Sequence, residues 1–330
     1  MKTFCTLLLL SVALPAKAAP ESVYLLWNDG KKAFEAGDYL KAIQSLEPIV
    51  QKHPAEKDYS LAHFYLGVAY LKTSQFKKAK DPLRYYANST GNTLESVKAR
   101  LFLIRTYIEL QDFHAADLTL IEIFKRKNEP RTPLEMQNEA YILKARSLLG
   151  LNKDSKASQV LDSIKPDLKR MGKRHPSGPT LYGELHWLEL KIQSRECARI
   201  VGKKKLDEGQ TRQLMSRRGT CLLEAALDYK EELDTGTDSW IKEAADELIR
   251  GFDSYSQACT TPPPAVGKRT AVELKRYNEE LVFYLKKDCR EKYTKALEIL
   301  YNWRPGARET AAQSIDVVTE SLTKMKDRLL

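Results

Sequence analysis

The chain has 330 residues, 42% of them apolar and 30% charged, with 54 Lys and Arg against 44 Asp and Glu and a formal charge of +10. This balance excludes wholesale disorder, and only 15 Gly and 14 Pro exclude a collagen-like or low-complexity chain. The length fits two or three units of ordinary domain size, and the charge favours anionic neighbours without specifying a fold.

The N-terminus reads as an export address. Lys2 is followed by the mostly apolar run Phe4 to Leu14, and then by Ala16-Lys17-Ala18. Charge, apolar run and small-residue cleavage site are the three parts of a secretory signal. Cleavage is expected after Ala18, with Ala19 as the alternative, so residues 1–18 are assigned to the signal. The run is shorter than the ~20 residues a membrane span requires, and no later segment qualifies. Cys5 lies too early to be the lipid-bearing Cys of a lipoprotein. The expected location is therefore periplasmic or secreted. Removing Lys2, Lys17 and Cys5 leaves a net charge of +8 and four cysteines.

A repeat of 37 residues organises the region that follows. Gly37, Ser74 and Gln111 share one register, as do Tyr39, Phe76 and Phe113, then Ala42, Ala79 and Ala116, then Leu46, Leu83 and Leu120. Ile49, Tyr86 and Ile123 complete the row, and a fourth copy follows at an offset of 41 with Ala157, Leu161 and Ile164. Each copy predicts helix, short turn, helix by its apolar spacing. The small Ala column lets the two helices of a pair approach closely, and the aromatic three residues earlier fills the wedge at the turn.

The pattern resembles the tetratricopeptide repeat. Copy one carries Gly30, Gly37-Asp38-Tyr39, Ala42, Leu46 and Pro54; copy two Leu66-Gly67, Tyr70, Phe76, Ala79 and Leu83; copy three Tyr107, Asp112-Phe113, Ala116 and Leu120. Ala33 and Ile104 depart from the family pattern, and the period exceeds the family's usual 34 residues. The resemblance implies an all-α fold, a right-handed superhelix over residues 19–165, with a concave face lined by the first helix of each pair. On that implication the partner-binding groove consists of Trp27, Lys31, Phe64, Val68, Lys98, Leu101, Arg105, Ile142 and Arg146. Aromatic anchors and cations suit an acidic or C-terminal peptide segment. The alternative for Trp27 and Phe64 is packing against neighbouring helices. Family members that grip a C-terminal carboxylate use an Asn where this chain has Tyr65.

Residues 166–179, rich in Pro, Gly and cations, read as a basic linker, and residues 180–330 as a second, all-helical domain. Helices are expected near 207–233, 238–259, 269–303 and 308–329. Cys197, Cys221, Cys259 and Cys289 fall on apolar stripes, and an even number in an exported chain suggests disulfides. Three pairings are possible. If the helices alternate in direction with their ends level, 197–259 with 221–289 is favoured over the sequential pairing; four reduced, buried thiols remain the other reading. The last helix carries Ala311, Ile315, Val318, Leu322, Met325 and Leu329 as a narrow seam, which docks on the helix before it or serves a partner.

No phosphate loop, dinucleotide fingerprint or metal motif is present. His53, His63, His114, His175 and His186 lie at no ligand spacing, and the two S-x-x-K matches, at Ser74 and Ser321, lack their companion motifs. No cofactor and no catalytic residue is expected. The cations Lys165, Lys169, Arg170, Lys173, Arg174 and Lys203 to Lys205 could touch an anionic envelope surface; nucleic acid is not expected. The sequence thus predicts an exported, non-enzymatic scaffold that binds a protein or peptide. The alternative is an envelope enzyme whose repeats target a glycan-acting helical domain.

Overall fold

A computed structural model describes residues 23–53, 59–91, 93–125, 132–172, 175–200, 206–235, 237–261 and 270–330. The expected signal at residues 1–18 and the basic cluster Lys203 to Lys205 lie outside the described residues. Among those described there are thirteen α-helices and no strand, so the fold is all-α. Two compact units divide the chain, Met1–Gly91 and Asn92–Leu330.

The first unit contains α1 (Val23–Glu35), α2 (Tyr39–Lys52), α3 (Ser60–Lys72) and α4 (Phe76–Ser89). They form two helical hairpins, with α3 packed on α1, α2 and α4. The close approach anticipated within each pair is visible at Gly30 and Gly67. A Cβ on either would lie 2.6 Å from the Cγ of Leu46 or Leu83, the same column one copy apart. Ala42, Leu46, Ala79 and Leu83 are fully buried at these contacts.

The second unit begins with two more hairpins, α5 (Leu94–Glu109) with α6 (Phe113–Lys125) and α7 (Leu134–Gly150) with α8 (Asp154–Met171). One turn joins the helices of all four hairpins. Gly37, Ser74, Gln111 and Asn152 each have positive φ, from 56° to 78°. The residue after each donates its N–H five residues back: Asp38 to Ala33, Gln75 to Tyr70, Asp112 to Tyr107 and Lys153 to Leu148, all at 2.8–2.9 Å. This is the Schellman motif, which satisfies carbonyls left open at a helix end. Asp38 and Asp112 then cap the next helix, each carboxylate accepting a backbone N–H at 3.1 Å, from Lys41 and Ala115.

Three of these four left-handed positions hold residues with a Cβ, which costs about 1–2 kcal/mol at such a φ. Gln111 is exposed and its φ is 59°. Gln111→Gly should therefore raise stability by about 0.5–1 kcal/mol, the relieved strain outweighing the added freedom of the unfolded chain. A thermal melt checks this, and a lower midpoint would contradict it.

The expected linker is largely helix. α8 continues through Pro166 to Met171, and α9 (Gly178–Arg199) starts with Pro179 in its first turn, where the missing N–H costs nothing. Pro166 removes one helical hydrogen bond, but Ile164 and Leu168, four residues apart and buried, anchor the turns on either side. A single core runs from Ile142 to Leu329 across the expected boundary at 165/166. Two of the expected linker cations are engaged within the chain, Lys165 at 2.9 Å from Glu189 and Arg170 with Asp167.

After α9 come α10 (Glu208–Thr235), α11 (Asp238–Thr260), α12 (Ala271–Trp303) and α13 (Glu309–Asp327), with one 3-10 turn at Arg304–Gly306. Thr270 and Glu273 form a reciprocal capping box at the start of α12. The seam of α13 is buried against α11 and α12, so it docks within the chain.

The disulfides correct the favoured pairing. Cys197 joins Cys221, and Cys259 joins Cys289, with Cα separations of 5.6 and 6.5 Å. The level argument failed because the helix ends are not level. Cys221 lies thirteen residues into α10 and Cys289 eighteen into α12, roughly 20 and 27 Å from their starts at 1.5 Å per residue. These first turns overshoot the ends of α9 and α11 and pack on each other. Arg212 lies 3.9 Å over the Tyr284 ring, and Ser216 donates to Asp288 at 3.3 Å. Thr211 and Met215 on α10, with Tyr277 and Leu281 on α12, are buried in this overshoot.

His63, on α3, is buried, lies 4.1 Å from the Tyr85 ring, and neither ring nitrogen has a hydrogen-bond partner. Burial lowers its pKa from 6.5, against a weaker pull from the backbone of His53. The unfolded chain binds the proton more readily, so stability is complete above about pH 6.5 and falls as the pH drops toward the folded-state pKa. Urea midpoints at pH 5 and pH 7.5 should differ in wild type, and less so in His63→Phe. An identical difference in both would sink this assignment.

Candidate functional site

The second unit places its charged side chains around α9. From Leu181 to Leu190 every residue but Glu189 is buried, because α9 has α7, α8, α10 and α11 packed around it. Glu184 sits within that run, its side chain 1% exposed. A carboxylate so placed must be paired. Arg146 on α7 reaches it at 3.1 Å and Arg105 on α5 at 3.4 Å. Arg105 and Arg146 are 41 residues apart, the same register position in the third and fourth copies. Each has a second carboxylate, Glu139 at 3.1 Å from Arg105 and Glu109 at 3.0 Å from Arg146. Burial raises the Glu139 pKa although Arg105 opposes the shift.

The predicted groove residues separate into three kinds. Phe64, Val68, Leu101 and Ile142 are buried, with Phe64 5.0 Å from the Tyr86 ring. They serve the core because the first helix of a hairpin is covered on several sides. Arg105 and Arg146 are held by carboxylates of the chain itself. Trp27 is half-buried 5.6 Å from the Tyr65 ring, Lys31 pairs with Glu35 at 3.8 Å, and Lys98 is exposed.

A cleft of about 420 Å³ opens between the C-terminal halves of α5 and α7 and the middle of α9. Its walls include Ile108, Phe113, Leu149 and Leu188, and its polar groups are Arg146, Trp187, Lys191 and Arg195. Arg195 donates to the carbonyl of Leu149 at 2.9 Å and pairs with Asp154 at 3.0 Å. The Lys191 ammonium stands 4.8 Å from the centre of the Trp187 ring, with the Arg146 guanidinium at 5.7 Å from the same ring. Burial lowers the Lys191 pKa; Glu247 opposes this, and Arg195, Arg250 and Arg146 add to it.

No family model matches the chain, and no curated protein is detectably similar to it. The site therefore has to be read from its own chemistry. Trp187, Lys191 and Arg195 are spaced i, i+4, i+8, one stripe of α9, and that spacing was the signal available in the sequence. A smaller cleft of about 290 Å³ lies beside α8 and α10, where the buried His186 meets Glu189 at 3.0 Å. Burial pushes the Glu189 pKa up, but hydrogen bonds from His186 and Lys165 outweigh it and hold the carboxyl below its ordinary range.

Proposed function

We propose that this chain is an exported, non-enzymatic binding scaffold, of the tetratricopeptide type its repeats resemble, and that it holds a segment of a protein partner. The observation that carries this reading is the same left-handed turn closing four successive helical hairpins. Such repeats are built to present surface rather than to assemble a reaction centre. Two disulfides fit an oxidising compartment such as the periplasm, and no described helix is long and apolar enough to cross a membrane.

Crosslinking in the native compartment, followed by affinity purification and mass spectrometry, tests the reading. Charge reversal belongs at Lys98, which is exposed, rather than at Arg105 or Arg146, which the fold itself uses. The expected result is a defined set of protein partners, with recovery reduced in Lys98→Glu. Release of muropeptides from cell-wall polymer by the purified protein would replace the scaffold by an enzyme.

A further inference from the structure

Resting on the scaffold reading, we propose that the cleft between α5, α7 and α9 binds a carboxylate carried beside an apolar group. Lys191 is its charge partner, and Trp187 and Leu188 form its apolar wall. Three observations on the second unit converge here.

The first is the charge inventory. Of the three cations lining the cleft, Arg146 and Arg195 have carboxylate partners, while Lys191 has no ion pair among the described residues. An ammonium partly withdrawn from water and crowded by arginines gains more from an incoming anion than a solvated surface lysine does. The second is Trp187, only 7% exposed, whose indole N–H is buried without a hydrogen-bond partner. A buried donor left open costs free energy, so a nearby acceptor is favoured. The third is the lining. Ile108, Leu149 and Leu188 place apolar surface beside the cations, which selects an anion with an apolar neighbour over a small hydrated one.

A peptide can supply such a carboxylate from an acidic side chain or from its C-terminus. Three probes separate these sources against the full mature chain: N-acetyl-Ala-Ala-Leu with a free C-terminus, its C-terminal amide, and N-acetyl-Ala-Asp-Leu amide. Binding is read from the four tryptophan indole N–H resonances, with Trp187→Phe identifying the one concerned. The proposal expects the Trp187 resonance to shift with at least one carboxylate-bearing probe and not with the neutral amide. It expects Lys191→Met to weaken that binding about tenfold, the scale of a lost charge-assisted hydrogen bond. A free C-terminus acting alone identifies a terminal carboxylate; equal action by the Asp probe identifies a side chain. Inorganic phosphate binding as tightly as the peptides, or an unchanged affinity in Lys191→Met, overturns the proposal, as does a failure of all three probes. The thermal melt of Lys191→Met should match wild type, since no ion pair is broken. If partners crosslinked in the native compartment persist in Lys191→Glu, the scaffold reading stands and this site falls. If wild type crosslinks to none, the scaffold reading itself fails.

Discussion

Replacing Glu184 by Gln should lower the stability of the second unit by about 3 kcal/mol, at the lower end of what breaking a buried ion pair costs. The amide still accepts hydrogen bonds, but two half-buried guanidinium groups lose the charge that offsets their desolvation. Arg146 and Arg105 stand 3.1 and 3.4 Å from this carboxylate, which is 1% exposed. At roughly 2–4 °C per kcal/mol for a domain of this size, the melting midpoint falls by about 6–12 °C. Adding Arg105→Met and Arg146→Met to Glu184→Leu should recover part of the loss, because replacing a whole buried cluster by apolar groups is far cheaper than stranding half of it. Urea unfolding of the variants measures both effects. A Glu184→Gln midpoint equal to wild type would show that the three-helix tie contributes nothing.

Reducing both disulfides should have an effect of still larger size. The loops they close span 24 and 30 residues, and chain-entropy arithmetic assigns each bond about 3.5 kcal/mol. The loops do not overlap, so the effects add, to about 7 kcal/mol, comparable with the whole stability of an ordinary domain. Urea melts with and without reductant should show the second unit loosened. The Cys197→Ser, Cys221→Ser pair should account for about half of the change. A non-reducing peptide map checks the connectivity directly: a fragment joining Cys197 to Cys259 would overturn the structure's pairing.

Much of the architecture was legible because repeats advertise themselves through position. The column Gly37, Ser74, Gln111, with Asn152 at the longer offset, marks the same left-handed turn in four places. A residue-type profile would miss it, since three of the four are not glycine. The helices of the second half were legible from apolar spacing, to within a few residues at their ends. Lost were the features that depend on how far one helix runs past another. No local pattern announces that α10 and α12 overshoot their neighbours, so the disulfide pairing was misread. The same limit affected the site. Arg105 and Arg146 were identified as cations on the inward face, but Glu184, which holds them, lies 79 and 38 residues downstream on a helix outside the repeat register. Phe64 and Ile142 show the converse: helical spacing marks an apolar face without telling whether a neighbour covers it.

The disulfide order bears on how the chain matures. Each bond joins cysteines that are consecutive in the sequence. A chain that emerges N-terminus first exposes Cys197 and Cys221 together, before Cys259 and Cys289 appear. An oxidant that joins thiols in order of emergence therefore makes the native bonds at the first attempt. A crossed connectivity would have required reshuffling, which takes seconds to hours. The overshoot of α10 and α12, by bringing successive cysteines to one level, spares the protein any dependence on an isomerase.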